Sequence, residues 1–506
     1  MTRIFSGTVL VGVLVTAVGC GGGATLGAGG KVELAPTERS SMKTNTGQVV
    51  HKEAAKSFEE ALKTFVGHDK VFDWNESSCK SVAEMFGRSS EVQESATHHG
   101  LPAALYNAGL AFQRCGLDGE AQKQFQSAAD SDKSFHRAQA QLALYEYAKS
   151  GNIDAAIDKL NQVIRDAKFQ NTDALVGVAA LQMERQSDSS DSDGKNDLER
   201  AVKNIQRALA IDDTFMPAFN QLAIYYLEQA KAKAGRKSGR KAGLVVSGAA
   251  GVKVDQQMLD LAALVSAQGI AKNPKYASLF NTAGLIQVEQ RNYNGAVKSF
   301  KRARELDPKF FEAHMNYAAV NLSFRGFKEA EAAYRDALKM HPKEYEAHLG
   351  LALAVRGQID DTNFDKNVTE TQAQLEECKK IAPERAETYY NEAILTQEYR
   401  AKGGQDSAVP MLEKAAEIYK TFIGKAGNND AFAAAVKRSK ERTQDIADAV
   451  KFIKEGEVAR KADEEAQKAA AEAAKNAPPP PPPPAEGAAP PEGGAAAPPP
   501  APPPKK

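Results

Sequence analysis

Residues 281–308 read NTAGLIQVEQRNYNGAVKSFKRARELDP, and residues 315–342 read MNYAAVNLSFRGFKEAEAAYRDALKMHP. Shifted by 34 residues, Gly284 falls on Ala318, Ala296 on Ala330, Phe300 on Tyr334, Ala303 on Ala337 and Pro308 on Pro342. These residue types answer a physical demand. Two antiparallel helices of about 12–15 residues cross closely only where side chains are small, which selects glycine and alanine at the crossing. An aromatic ring fills the gap beside that contact. Proline stops the second helix before the next one begins.

An earlier stretch repeats the pattern with Gly109, Phe112, Ala121, Phe125 and Ala128, where Lys133 replaces the proline; another carries Leu144, Tyr147, Ala156, Leu160 and Val163. A 34-residue period of these types resembles the tetratricopeptide repeat. The pattern predicts a first helix over 217–233 whose partner is displaced to 256–271, and a unit at 345–385 running seven residues long, with Thr371, Leu375, Cys378 and Pro383 in the shifted register. Weaker copies occupy 171–213 and 386–426. The expected fold is an all-α superhelical solenoid of about eight units over 102–426, with insertions near 186–197, 234–255 and 358–368. Length alone would suggest several compact domains of ~100–200 residues, but a solenoid grows in one dimension and needs its end faces covered. Residues 51–101, where Ala54, Phe58, Leu62 and Phe65 recur at helical spacing, read as that helical cap.

The resemblance implies a concave wall made by the first helix of each unit, a surface suited to extended peptides or partner helices. The family pattern puts Tyr106, Leu110, Gln113, Asn220, Ile224, Asn281, Leu285, Glu289, Met315, Leu322, Leu349, Leu353 and Arg356 on it. This groove mixes apolar and polar groups. It lacks the lysine/asparagine clamp with which chaperone adaptors hold a terminal carboxylate.

Residues 1–19 read as an export signal: Arg3 supplies a positive start, and Ile4 to Val18 is an uncharged, mostly apolar run. At about 15 residues that run is too short to span a bilayer, which takes about 20. It ends in Ala17-Val18-Gly19-Cys20, which resembles the lipobox of bacterial lipoproteins, with alanine where leucine is usual. The resemblance implies a diacylglycerol on Cys20, and Gly21 in place of aspartate implies sorting to the outer membrane. Glycine-rich residues 20–50 read as a flexible tether. In an oxidising periplasm Cys79 and Cys115 are either bridged or a pair of buried thiols. Cys378 falls at a core position of the repeat.

Residues 427–476, rich in Ala, Lys and Glu, predict one long helix of up to about 70 Å. Residues 477–506 open with seven consecutive prolines from Pro478 and read as an extended, disordered spacer, or as a ligand for a partner or peptidoglycan. Lys231, Lys233, Arg236, Lys237, Arg240 and Lys241 crowd one insertion. They form either a solvated loop or a docking loop for anionic headgroups or an acidic partner.

Lysine plus arginine and aspartate plus glutamate number 65 each, so no global field attracts nucleic acid. Gly235 to Lys241 superficially resembles a phosphate loop, but its spacing is wrong and no apolar strand precedes it. The acidic loop 188–197 resembles a calcium hand, yet Ser189 occupies the first ligand position and Arg200 the place of the bidentate glutamate. His314 and His348 lie one period apart, a spacing the repeat itself explains. No catalytic set, cofactor or metal site emerges, and the expectation is a non-enzymatic chain.

The signal, the segment Trp74-Asn75-Glu76-Ser77-Ser78-Cys79 and the run Phe112-Gln113-Arg114-Cys115-Gly116 together resemble the tetratricopeptide lipoproteins of myxobacterial adventurous gliding motility. That resemblance covers most of 20–450 and implies an envelope component of a multi-protein motility machine. The alternatives are a pilotin or outer-membrane assembly lipoprotein and, in another class, a cell-wall enzyme or its activator.

Overall fold

A computed structural model describes residues 42–43, 49–71, 73–232, 254–402 and 405–476. They form two compact units, one ending at Tyr399 and the other starting at Arg400. The described residues are all-α apart from one small ladder, in which β1 (Met42–Lys43) pairs antiparallel with β2 (Val49–Val50) inside the stretch expected to be tether. Two-residue strands leave no alternation to read. A buried side chain holds this one in place: the Gln93 amide donates to the Val49 carbonyl at 2.8 Å and accepts the His51 N–H at 2.8 Å.

The cap is a helix pair, α1 (Lys52–Val71) and α2 (Glu76–Thr97). Asn75 starts α2 with a reciprocal cap: its side chain accepts the Ser78 N–H, and the Ser78 hydroxyl accepts the Asn75 N–H. Cys79 and Cys115 are disulfide-bonded, their Cα atoms 6.4 Å apart, tying α2 to the corner after α3.

Seven helix pairs follow among the described residues: α3 (Pro102–Gln113) with α4 (Asp118–Ser131), α5 (His136–Ser150) with α6 (Ile153–Asp166), α7 (Thr172–Arg185) with α8 (Asp197–Ile211), α9 (Met216–Ala232) with α10 (Gln256–Lys272), α11 (Ala277–Glu289) with α12 (Tyr293–Leu306), α13 (Phe311–Ser323) with α14 (Phe327–Met340), and α15 (Tyr345–Arg356) with α16 (Phe364–Ile381). Then α17 (Ala386–Glu398) closes the first unit. The three expected insertions fall at the joints α7–α8, α9–α10 and α15–α16, the last ending at Asn363 rather than 368 because α16 begins at Phe364.

Packing follows the repeat residues. A Cβ built on Gly109 would lie 2.6 Å from the Phe125 ring, and one on Gly284 would lie 2.5 Å from that of Phe300. Ala121, Ala128, Ala296, Ala303, Ala330 and Ala337 are fully buried. Close crossing and ring filling are therefore one contact seen from its two sides. The turns between units share one design. The N–H groups of Phe135, Phe215, Tyr276 and Phe310 return to the carbonyls of Asp132, Asp212, Asn273 and Asp307, whose side chains accept the N–H two residues on. His314 Nε2 donates to the Pro308 carbonyl at 3.0 Å, His348 Nε2 donates to that of Pro342 at 3.0 Å, and the Tyr389 hydroxyl donates to that of Pro383 at 2.9 Å. These side chains tie each turn to the helix that follows it.

In the second unit α18 (Gln405–Ala426) packs against the first half of α19 (Ala433–Asn476), where Tyr419 and Phe422 on one and Ile446 and Val450 on the other are buried. The pattern had made 386–426 an eighth repeat pair, α17 with α18. Instead the division into units falls between them. At 22 residues α18 outruns the 14-residue second helices of α3–α4 and α13–α14, and its Ala415, Tyr419, Phe422 and Ala426 continue one apolar stripe toward α19. Beyond Val458 every α19 residue whose burial is described is exposed. Its 44 residues extend about 66 Å at 1.5 Å each.

Candidate protein-interaction surface

The first helices lie side by side. From α5 to α17 each touches the first helix of the next pair, and hydrogen bonds cross the row. Gln113 donates to the Tyr145 hydroxyl at 3.0 Å, Gln221 to Met183 Sδ at 3.0 Å, Thr282 to Asn220 Oδ1 at 2.7 Å, Asn316 to Asn281 Oδ1 at 2.9 Å and Arg356 to Asn391 Oδ1 at 3.1 Å. Amides fit this place because each offers donor and acceptor to neighbours on either side. Several sequence-nominated wall residues, Gln113, Asn220, Asn281 and Arg356, are thus rungs that hold the row together.

Burial divides the row in two. Tyr106 and Leu110, expected on an open wall, are each 2% exposed and belong to the apolar core with Phe125 and Tyr145. Tyr106 is covered by the Arg137 guanidinium, 5.0 Å above its ring, and burial raises its hydroxyl pKa. Leu144 on α5 and Ala174, Val178 and Leu181 on α7 are buried too. The buried residues of α7, Gly177 among them, lie on all its sides. An amphipathic reading of this helix fails because it has no wet face.

From α9 onward the wall opens. Asn220, Ile224, Leu285, Glu289, Leu322, Leu349, Leu353 and Arg356 are half-buried, while Asn281 and Met315 are each 8% exposed. Along α15 the accessible residues Glu346, Leu349, Leu353 and Arg356 form one stripe. One edge is engaged by the cap of α17, where Arg385 pairs with Glu346 at 2.6 Å, and Leu349 packs against the cluster of Ala352, Leu375 and Leu395. The pattern missed the matching face of α17, half-buried Tyr390, Ile394 and Gln397. Adding the 41-residue length of the preceding unit to 349, 353 and 356 locates them.

The acidic insertion is ordered by an arginine. Arg200 donates to the carbonyls of Ser189 at 2.9 Å and Gly194 at 3.3 Å and pairs with Asp191 at 3.1 Å and Asp197 at 2.7 Å. Arg185 grips the other side of Asp197 through two bonds of 2.8 Å and reaches Asp154 at 2.7 Å. Burial raises the Asp197 carboxyl pKa, but bonds from both guanidinium groups and the Ser187 N–H outweigh this and hold it below the usual range.

Among the described residues no group of three or more His, Cys, Asp or Glu side chains is gathered to hold a metal, and no helix is long and apolar enough to cross a membrane. Cys378 is a buried free thiol whose burial pushes its pKa up to about 12. Of the basic loop only Lys231 is described, paired with Glu228 at 3.0 Å. Lys233, Arg236, Lys237, Arg240, Lys241, Cys20 and the proline-rich tail lie outside the described residues.

No family model matches the chain, and no curated protein matches it either. Solved structures similar to it include a thermophilic TPR protein of Thermus thermophilus, 22% identical, covering 44% of this chain and 99% of that one, with a TM-score of 0.34. A tetratricopeptide repeat protein of Parabacteroides merdae is 15% identical over 62% of this chain and 99% of its own, at 0.34. Pseudomonas aeruginosa pilF is 15% identical over 52% of this chain and 98% of its own, at 0.36.

Proposed function

We propose that this chain is a non-enzymatic scaffold that grips partner proteins with the inner face of α9 to α17, held at the outer membrane by a lipid on Cys20. The observation that carries the reading is the half-buried stripe running from Asn220 and Ile224 through Leu285 and Leu322 to Leu353. It is a continuous surface of mixed apolar and amide character on a row fixed by cross-helix bonds. Such a surface suits an extended segment or a helix laid along it. The Cys79–Cys115 bridge supports an oxidising compartment. The Ala17-Val18-Gly19-Cys20 sequence supports the anchor.

On the resemblance of 74–79 and 112–116, the complex served is a gliding motility machine of the envelope. Partner recovery from envelopes tests the scaffold. With the parent chain a discrete set of partners co-purifies, and Leu353→Arg, on a half-buried inner position, removes them; an unchanged set would refute the wall. Fractionation tests the anchor: Cys20→Ala should lose acyl label and leave the membrane fraction. Deletion should abolish single-cell movement while sparing pili, whereas loss of secretin multimers would favour a pilotin.

A further inference from the structure

The first unit touches itself across most of its length. Lys309, exposed on the turn before α13, donates from Nζ to the Trp74 carbonyl at 3.0 Å, across 235 residues of chain. The loop it meets is built to be rigid. Trp74 is 7% exposed, its ring edge-on to Phe65 at 5.0 Å, and its indole N–H donates to Asp69 at 2.7 Å. Asp69 is also gripped by Arg114 at 2.9 and 3.2 Å, and the guanidinium lies over the Phe65 ring at 5.4 Å. Directly beyond the loop the Cys79–Cys115 disulfide ties α2 to the same corner.

The receiving side is equally specific. The Lys309 N–H is held by the Asp307 side chain at 2.9 Å, which fixes the turn. Arg114 lies within electrostatic reach of both Asp307 and Tyr276, so the approach involves more than one lysine. Lys275 and Lys343 occupy the same position after proline in neighbouring turns. The repeat therefore supplies the lysine, and its place opposite Trp74 selects Lys309.

We propose that the 73–75 loop is a clasp that docks on the 307–309 turn and holds the first-helix row from α3 to α13 in a closed ring. Because consecutive members of the row are in contact or hydrogen-bonded, joining its ends fixes its curvature. Release of the clasp lets the curvature relax, while Tyr106 and Leu110 stay covered by α4 and α5. Ring closure does not rest on the scaffold reading.

The test is a distance. A keto amino acid placed at Glu91 on α2 and at Lys301 on α12, both exposed, takes spin labels while leaving the native cysteines alone. Pulsed dipolar spectroscopy of the full chain should give one narrow separation. Lys309→Glu and the milder Lys309→Ala should shift it to longer separations and roughly double its width, with far-ultraviolet circular dichroism unchanged. Lys343→Glu should leave it as in the parent. A broad parent distribution, or Lys309 variants that match Lys343→Glu, would overturn the clasp. If Leu353→Arg kept every partner while these distances behaved as stated, the scaffold reading would fall and the ring would stand.

Discussion

Gly284 and Phe300 are one contact written at two sequence positions. A methyl on Gly284 meets ring atoms at 2.5–2.8 Å, inside a helix pair where the ring is fully buried. Gly284→Ala should therefore destabilise the chain by about 1–3 kcal/mol. Gly87→Ala, where nothing lies within 4 Å of the new Cβ, should stabilise α2 by about 0.5–1 kcal/mol; urea unfolding of both variants checks the pair. His314 offers a second residue-scale test. Its Nε2–H goes to Pro308 and its Nδ1 accepts from Arg304 at 2.9 Å. Burial and that guanidinium push its pKa down to about 4. An unfolded histidine titrates near 6.5, so the unfolded chain binds the extra proton first as pH falls. The contribution of His314 is complete above about 6.5 and is lost as pH falls toward 4. The imidazole should stay neutral at pH 5 by nitrogen NMR, and His314→Gln should flatten that part of the stability profile. A charged ring at pH 5 would contradict the assignment.

At the scale of elements, the helix pairs were legible because each is specified by small residues and rings at fixed spacing. Even α10, displaced past an insertion, begins where Ala262 and Gly269 require it. What was illegible depended on neighbours far away in sequence. Tyr106 and Leu110 carry the residue types of an open wall and are covered by tertiary packing. The stripe on α18 turns toward α19 because its length continues past that of a repeat helix. The acidic loop is exposed over 188–193, but nothing in its pattern announced that Arg185 and Arg200 bury Asp197 between them at its end. Asp197→Ala would leave two guanidinium groups without their central partner and should cost about 3–5 kcal/mol, read by thermal unfolding. The disulfide joins positions 36 apart. Its reduction should lower stability by about 4 kcal/mol on the chain-entropy account, seen as a lower urea midpoint with dithiol present.

For the whole molecule, the first unit buries its faces by stacking each pair on the next, and this leaves the inner row from α9 to α17 as the surface proposed to hold another protein. The same repeat that made the row legible concealed its division into a covered and an accessible half, since the positions are equivalent in sequence and differ only in what the solenoid brings over them. Photo-crosslinking in intact envelopes is the most direct measurement of the wall. A photoreactive side chain at Leu353, half-buried on the inner face, should yield a discrete partner adduct, while the same side chain at exposed Lys301 on α12 should yield none. Equal adducts at both positions, or adducts at Lys301 alone, would contradict an inner docking wall.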